Sequence, residues 1–114
     1  MFDVLEQEAA HGSKLMIGDF NCGIPFEDSE TKSFENAHRF IGLQKAGWAD
    51  SWRTRNPNAR EFSWFSTQKG NGFRYDHALA TADFDRTIST VSYDHGLREE
   101  GLSDHSPLLI DFSL

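Results

Sequence analysis

Ser103-Asp104-His105-Ser106-Pro107, followed by the apolar run Leu108-Leu109-Ile110, and Gly18-Asp19-Phe20-Asn21, preceded by Leu15-Met16-Ile17, decide how this chain reads. Short apolar runs bounded by turn residues are the signature of buried strands. Each of the two segments therefore sets a carboxylate and a polar partner at a strand end. A third such place is Arg74-Tyr75-Asp76-His77, just before Ala78-Leu79-Ala80. Three strand-end clusters rich in Asp, Asn and His point to metal-assisted cleavage of a phosphate ester.

The residues themselves set what each cluster can do. Asp19 and Asn21 are two apart after a strand, so both can face one side of its end. An ionised Asp binds a metal or takes a proton from water. An Asn amide donates to a phosphate oxygen. The structural alternative for this pair is an Asx turn at the strand exit. Asp104 and His105 are neighbours whose side chains diverge on extended backbone. Arg74 is either a phosphate contact or a salt-bridge partner, and it stands with Asn21 among the substrate-binding candidates. His77 reads as a packed or rim histidine, and Cys22 as a small residue packed after the turn. His11, His38 and His95 have no clustered partners at metal-ligand spacing and read as surface residues. Trp48, Trp52, Trp64 and the Phe residues read as core. Trp64 and Phe73, flanking a hairpin, are the best candidates for stacking on a substrate.

Outward from these clusters the pattern is mixed. Apolar spacing of three and four predicts a helix from about Asp3 to Ala10, ended by Gly12, and another from about Ser33 to Ala46, closed by Gly47. Residues Asn21 to Thr31 form a loop. Strands are expected at Leu15–Ile17, Glu61–Ser66, Phe73–Ala80, Thr87–Tyr93 and Pro107–Phe112, with Gln68-Lys69-Gly70-Asn71-Gly72 as a hairpin connection and Gly96–Leu102 as a loop. The expected fold class is α+β: one mostly antiparallel sheet of about five strands with two helices packed on it.

Composition bounds the rest. The 114 residues, 38% hydrophobic with ten Phe and three Trp, are enough for one packed domain over 1–114. A single cysteine excludes an internal disulfide framework and fits a reducing compartment, so the expected localisation is cytoplasmic. No stretch approaches the roughly 18 apolar residues of a membrane span, and early acidic residues argue against a signal peptide. The formal charge of −7 opposes a basic footprint for duplex DNA. It favours a small phosphoester. Glu27-Asp28-Ser29-Glu30 and Glu99-Glu100 read as solvated loop.

In their order and wording the three clusters resemble the last three signatures of the endonuclease/exonuclease/phosphatase superfamily, the fold of DNase I and exonuclease III. Gly47-Trp48-Ala49-Asp50-Ser51-Trp52-Arg53 and Phe62-Ser63-Trp64 resemble the segments between them. The resemblance covers essentially the whole chain and implies the C-terminal half of a DNase I-like four-layer sandwich. The family's first half supplies an early Asn, a metal-binding Glu, and usually a Tyr and a His that hold phosphate. Only Met1 to Lys14 precede the Gly18 turn, so those parts are expected to be missing.

The resemblance further implies hydrolysis of a phosphoester, nucleic acid among them, with Mg2+ or Mn2+. Asp19 would orient or deprotonate water, and Asn21 would hold the phosphate. His105 would lie over the scissile phosphate, with Asp76 accepting its hydrogen bond and fixing its tautomer. Asp19 and Asp104 would face the metal. The alternative is a non-catalytic folded fragment that retains a partial metal or phosphate site. A sheet without its facing sheet would leave an apolar face bare, and the expected remedy is a homodimer.

Overall fold

A computed structural model describes residues 2–8, 10–30 and 36–113. Its central unit is a ladder of three strands in the order β1 (Leu15–Asp19), β5 (Asp76–Ala80), β2 (Ala49–Asp50). All its pairings are antiparallel, with Leu15 opposite Ala80, Met16 opposite Leu79 and Asp19 opposite Asp76. Directly opposed residues share a face, so this register divides the interior in two. Met16 and Leu79 pack with Phe2, Leu5, Phe20, Phe40, Leu43 and Trp48. Leu15 and Ala80 pack on the other side with Trp52, Phe84, Ile88, Val91 and Tyr93. Burial on both faces is why β5 is a short apolar run without polar alternation.

The first cluster is covered by helices α1 (Phe2–Gln7) and α2 (Ala37–Lys45). Arg39 of α2 reaches Asp3 and Glu6 of α1. The two helices expected from periodicity are thus present, each shorter than expected. Ala9, Ser33 and Phe34, which fall in the expected helices, and Thr31 of the expected loop lie outside the described residues. Gly47 closes α2 at φ 107°, a conformation only glycine adopts without cost.

The strands depart from the expected single sheet. Among the described residues they form three separate ladders: the central one, β3 (Trp64–Phe65) with β4 (Gly72–Phe73), and β6 (Ile88–Tyr93) with β7 (Leu108–Phe112). The strand expected over Phe73–Ala80 is cut in two at Arg74-Tyr75, because the Arg74 side chain is drawn into the interior and the backbone there bonds elsewhere. The Arg74 N–H donates to Asp28 O, and the Tyr75 N–H donates to the Ser63 hydroxyl. Gly72 makes the hairpin possible, since a Cβ there would lie 2.4 Å from the Phe62 ring. A bulge between Ile88 and Thr90 interrupts the alternation of β6.

Three short helices were not legible from periodicity: α3 (Ser51–Arg55), α4 (Ala82–Asp85) and α5 (Gly96–Glu99, inside the expected loop). Four or five residues are too few to show a 3.6-residue period. A capping signal does exist for α3, where the Asp50 carboxylate accepts the Arg53 N–H at 3.1 Å.

The second correction concerns charge. Asp28, read as part of a solvated loop, is fully buried, and so is Arg74. Arg74 Nε donates to Asp28 Oδ1 at 2.7 Å, and its other nitrogens reach Asp50 and the Tyr93 hydroxyl. Arg53 donates to the same Asp28 oxygen at 2.7 Å. The Trp52 ring lies under both guanidiniums, 4.7 and 4.9 Å from them. Of its two sequence readings, Arg74 is therefore the salt-bridge partner. It has no exposed surface with which to meet a substrate phosphate.

Burial alone would drive Arg74 toward neutrality and raise the Asp28 pKa. The opposed charges outweigh it, so the Arg74 pKa lies above its usual value and that of Asp28 below. His77 is buried against the Phe20 and Phe40 rings. Burial, aided by the nearby Arg74 charge, lowers its pKa and keeps the ring neutral.

Removing one member of a buried charge group strands its partners. Arg74→Leu should therefore lower unfolding free energy by about 3–5 kcal/mol, measured by urea denaturation. A loss below about 1 kcal/mol, the range of an exposed pair, would show that the network does not hold the fold.

Candidate active site

The β1–β5 register sets Asp19 and Asp76 directly opposite each other at the end of the ladder. Like charges so placed repel. A third side chain relieves them. His105, in the turn before β7, lies with Nδ1 2.7 Å from Asp76 Oδ2 and Nε2 3.8 Å from Asp19 Oδ2. Burial of the ring opposes its charge. The hydrogen bond to Asp76 and the fields of Asp76, Asp19 and Asp104 outweigh that, so the His105 pKa is raised above the usual imidazole value.

Each member is held by backbone contacts. The Asp76 N–H donates to Ser63 Oγ at 3.2 Å, and its carbonyl accepts the Tyr93 hydroxyl at 2.6 Å. The same hydroxyl accepts Arg74 NH1 at 3.2 Å, so the buried ion network ends on the Asp76 backbone. The Ser106 N–H, next to His105, donates to Ser63 O at 2.8 Å. Ser63 thus ties both halves of the His105–Asp76 pair. Ser63 lay in a segment marked by the resemblance, but neither it nor Tyr93 was given a role, because their roles come from hydrogen bonds between distant segments.

Asn21 has φ 51°, a left-handed conformation that Asn tolerates, and its N–H donates to Asp19 Oδ1 at 2.8 Å. The Asx turn named as the structural alternative is therefore formed, and it orients the Asp19 carboxylate. Asn21 and Asp104 are exposed.

Among the described residues, Asp19, Asp76 and His105 form a group whose ligand atoms all lie within 4.8 Å of one another. The expected metal pair was Asp19 with Asp104. Asp104 is not part of this group, and its charge acts on the His105 ring as a field effect. Two carboxylates offer hard oxygen donors, and Asp19 is open to water. That donor set fits a hydrated divalent cation that keeps several water ligands.

Beside the pair stands an aromatic wall. Trp64 stacks on Tyr75 at 5.4 Å, Tyr75 stacks on Phe73 at 5.1 Å, and the Trp64 ring centroid is 6.5 Å from that of His105. Burial, with the Asp19 charge, raises the Tyr75 pKa, so its hydroxyl stays protonated.

The remaining candidates separate clearly. His11 and His38 are exposed, as read, while Trp48, Trp52, His77 and Cys22 are packed. His95 is not a free surface residue. Its ring bonds Ser106 Oγ and Glu61, each at 2.7 Å.

No family model matches the chain, and no curated protein matches it in sequence. Solved structures do. A 3′ phosphatase, NExo, from Neisseria bound to product DNA hairpin superposes with a TM-score of 0.79 at 25% identity, over 99% of this chain and 49% of that one. A 3′-5′ exonuclease, NExo, from Neisseria meningitidis gives 0.78 at 24% identity, over 99% and 49%. The fold is half of a DNase I-like sandwich. An AP endonuclease from Archaeoglobus fulgidus gives 0.79 at 21% identity, over 97% and 49%. The chain thus spans about half the length of these endonuclease/exonuclease/phosphatase structures, and the resemblance seen in its motifs holds at the level of the fold.

A raised imidazole pKa has a definite sign. The stabilisation His105 contributes is complete below the usual value of about 6.5 and is lost as pH rises through the folded value. Ring-proton titration should place His105 above the ordinary imidazole value of about 6.5. Asp76→Asn should bring it down toward that value. A His105 that titrates at or below it in the unaltered chain would contradict the charge arrangement.

Proposed function

We propose that this chain is the C-terminal half of a metal-dependent phosphodiesterase whose substrate class is nucleic acid. The observation that carries the reading is the His105 ring held between two opposed strand-end carboxylates, with its Nε2 edge toward Asp19. A neighbour of the same fold holds a DNA hairpin, which favours nucleic acid over a small phosphoester. The charge of −7 weighs against a long duplex, so a strand end is the form of substrate preferred here.

Asp76 accepts the Nδ1–H of His105 and fixes the tautomer. The two carboxylates beside His105 favour its protonated form, and that ring donates from Nε2 to a phosphoryl oxygen that gains charge. Asp19 lies close enough to orient or deprotonate water as that oxygen's neighbour is attacked. Asn21, at the tip of the same turn, offers its amide to the phosphate. Trp64 and Tyr75, partly exposed, offer a flat apolar surface to a base or sugar, while Phe73, expected to stack on substrate, is buried behind them in the core. Asp19, with the Asp76 carboxylate beside it and water in the remaining positions, would hold Mg2+ or Mn2+, which when bound would polarise the phosphoryl group.

Two further expectations belong to this reading. Ile17 and Leu109 expose 44% and 50% of their surface on strands, and a homodimer or the missing half of the fold would cover such residues. No described helix is long and apolar enough to cross a membrane. The single buried thiol of Cys22 supports a reducing, cytoplasmic setting.

Hydrolysis of bis-p-nitrophenyl phosphate with Mn2+ tests the reading. The unaltered chain should exceed the His105→Ala and Asp19→Asn variants by about 10²–10⁴-fold, the usual size of a general acid–base effect. Equal rates from all three proteins would favour a non-catalytic fragment.

A further inference from the structure

Among the described residues, a second set of titratable side chains is joined through an imidazole. His95 Nε2 lies 2.7 Å from Glu61 Oε1, and its Nδ1 lies 2.7 Å from Ser106 Oγ. Carboxylate, imidazole and hydroxyl in this order make up a nucleophilic triad in many hydrolases. Burial excludes that role here. Ser106 has no exposed surface, and Arg98 Nε already donates to its hydroxyl at 3.0 Å.

Counting donors shows what the set does instead. The Arg98 guanidinium can only donate, so Ser106 Oγ accepts from it. The Ser106 hydroxyl proton is buried and needs an acceptor. His95 Nδ1 is the acceptor within reach, so the His95 proton sits on Nε2 and is donated to Glu61. This is the reverse of His105, whose Nδ1–H faces Asp76.

Ser106 adjoins His105 in the chain. Its N–H is held by Ser63 O at 2.8 Å, and its side chain by His95 and Arg98. Ser63 Oγ in turn accepts the N–H groups of Tyr75 and Asp76 at 3.0 and 3.2 Å. We infer that His95 is a positioning residue: clamped by Glu61, it fixes the Ser106 side chain and so sets the turn that presents His105 to Asp76. The inference rests on the His105–Asp76 pair being the working dyad. His95 itself acts through Ser106 and need not meet substrate.

Two-bond proton–nitrogen correlation spectra of the full chain, taken above the titration of both rings, read each tautomer from carbon-bound protons. The unaltered chain should show His105 protonated at Nδ1 and His95 at Nε2. Ser106→Ala removes the hydroxyl that Arg98 and His95 both bond. His95→Gln keeps a group for Glu61 but none for Ser106. Both should convert His105 to a mixture of tautomers. His95→Asn places an oxygen where Nδ1 was and should preserve the His105 Nδ1–H form.

Unchanged His105 in Ser106→Ala, with or without a lowered melting temperature, would overturn the inference, since a purely structural role predicts that result. So would His95 protonated at Nδ1 in the unaltered chain. A His105 already mixed in the unaltered chain would overturn the dyad itself, and the inference with it.

Discussion

Arg74 carries a full positive charge into a place that water does not reach, and the surrounding structure is arranged to neutralise it. Two carboxylates from distant segments, Asp28 and Asp50, converge on its guanidinium. Arg53 shares Asp28, and Trp52 lies beneath both cations. An isolated charge buried this way would cost several kcal/mol, so the partners must all be in place at once. This joins the segment around residue 28, the start of α3 and the entry to β5 into one unit. The Tyr93 hydroxyl, bonded to Arg74 and to the Asp76 carbonyl, extends that unit to the β6–β7 ladder and to the strand end where the candidate chemistry lies.

The site inherits its rigidity from this arrangement and its reactivity from a conflict. An antiparallel register that sets Asp19 against Asp76 places like charges on neighbouring strands. The His105 ring between them eases the conflict, and the same carboxylates hold its pKa above the usual imidazole value. Structure and chemistry thus use one electrostatic compromise. Pre-organised groups of this kind are what a hydrolytic transition state requires, since no reorientation is needed when charge develops on the phosphoryl oxygens.

The parts legible in the sequence were those written locally. Turn residues beside short apolar runs marked β1, β5 and β7 and placed Asp19, Asp76 and His105 at their ends. Periodicity marked α1 and α2. The wording of the three clusters carried the fold, which the superpositions bear out. What stayed hidden was written across the chain. Asp28 looked like part of a solvated acidic loop because its partner is 46 residues away. His95 looked solitary because Glu61 and Ser106 come from other segments. Arg74 carried two readings that only burial could separate. The sheet divided into three ladders because the Arg74 side chain turns inward just where one continuous strand was expected.

The central claim is that the ends of β1 and β5, with the His105 turn, form one site for a divalent cation and a phosphate ester. Titration with Mn2+ while recording the amide spectrum tests it directly, because the ion broadens only nearby resonances. The account predicts early broadening of Asp19, Asn21, Asp76, Asp104 and His105, with Mg2+ competing at higher concentration. Broadening that begins at the exposed Glu99–Glu100 pair and leaves those five signals sharp would contradict it.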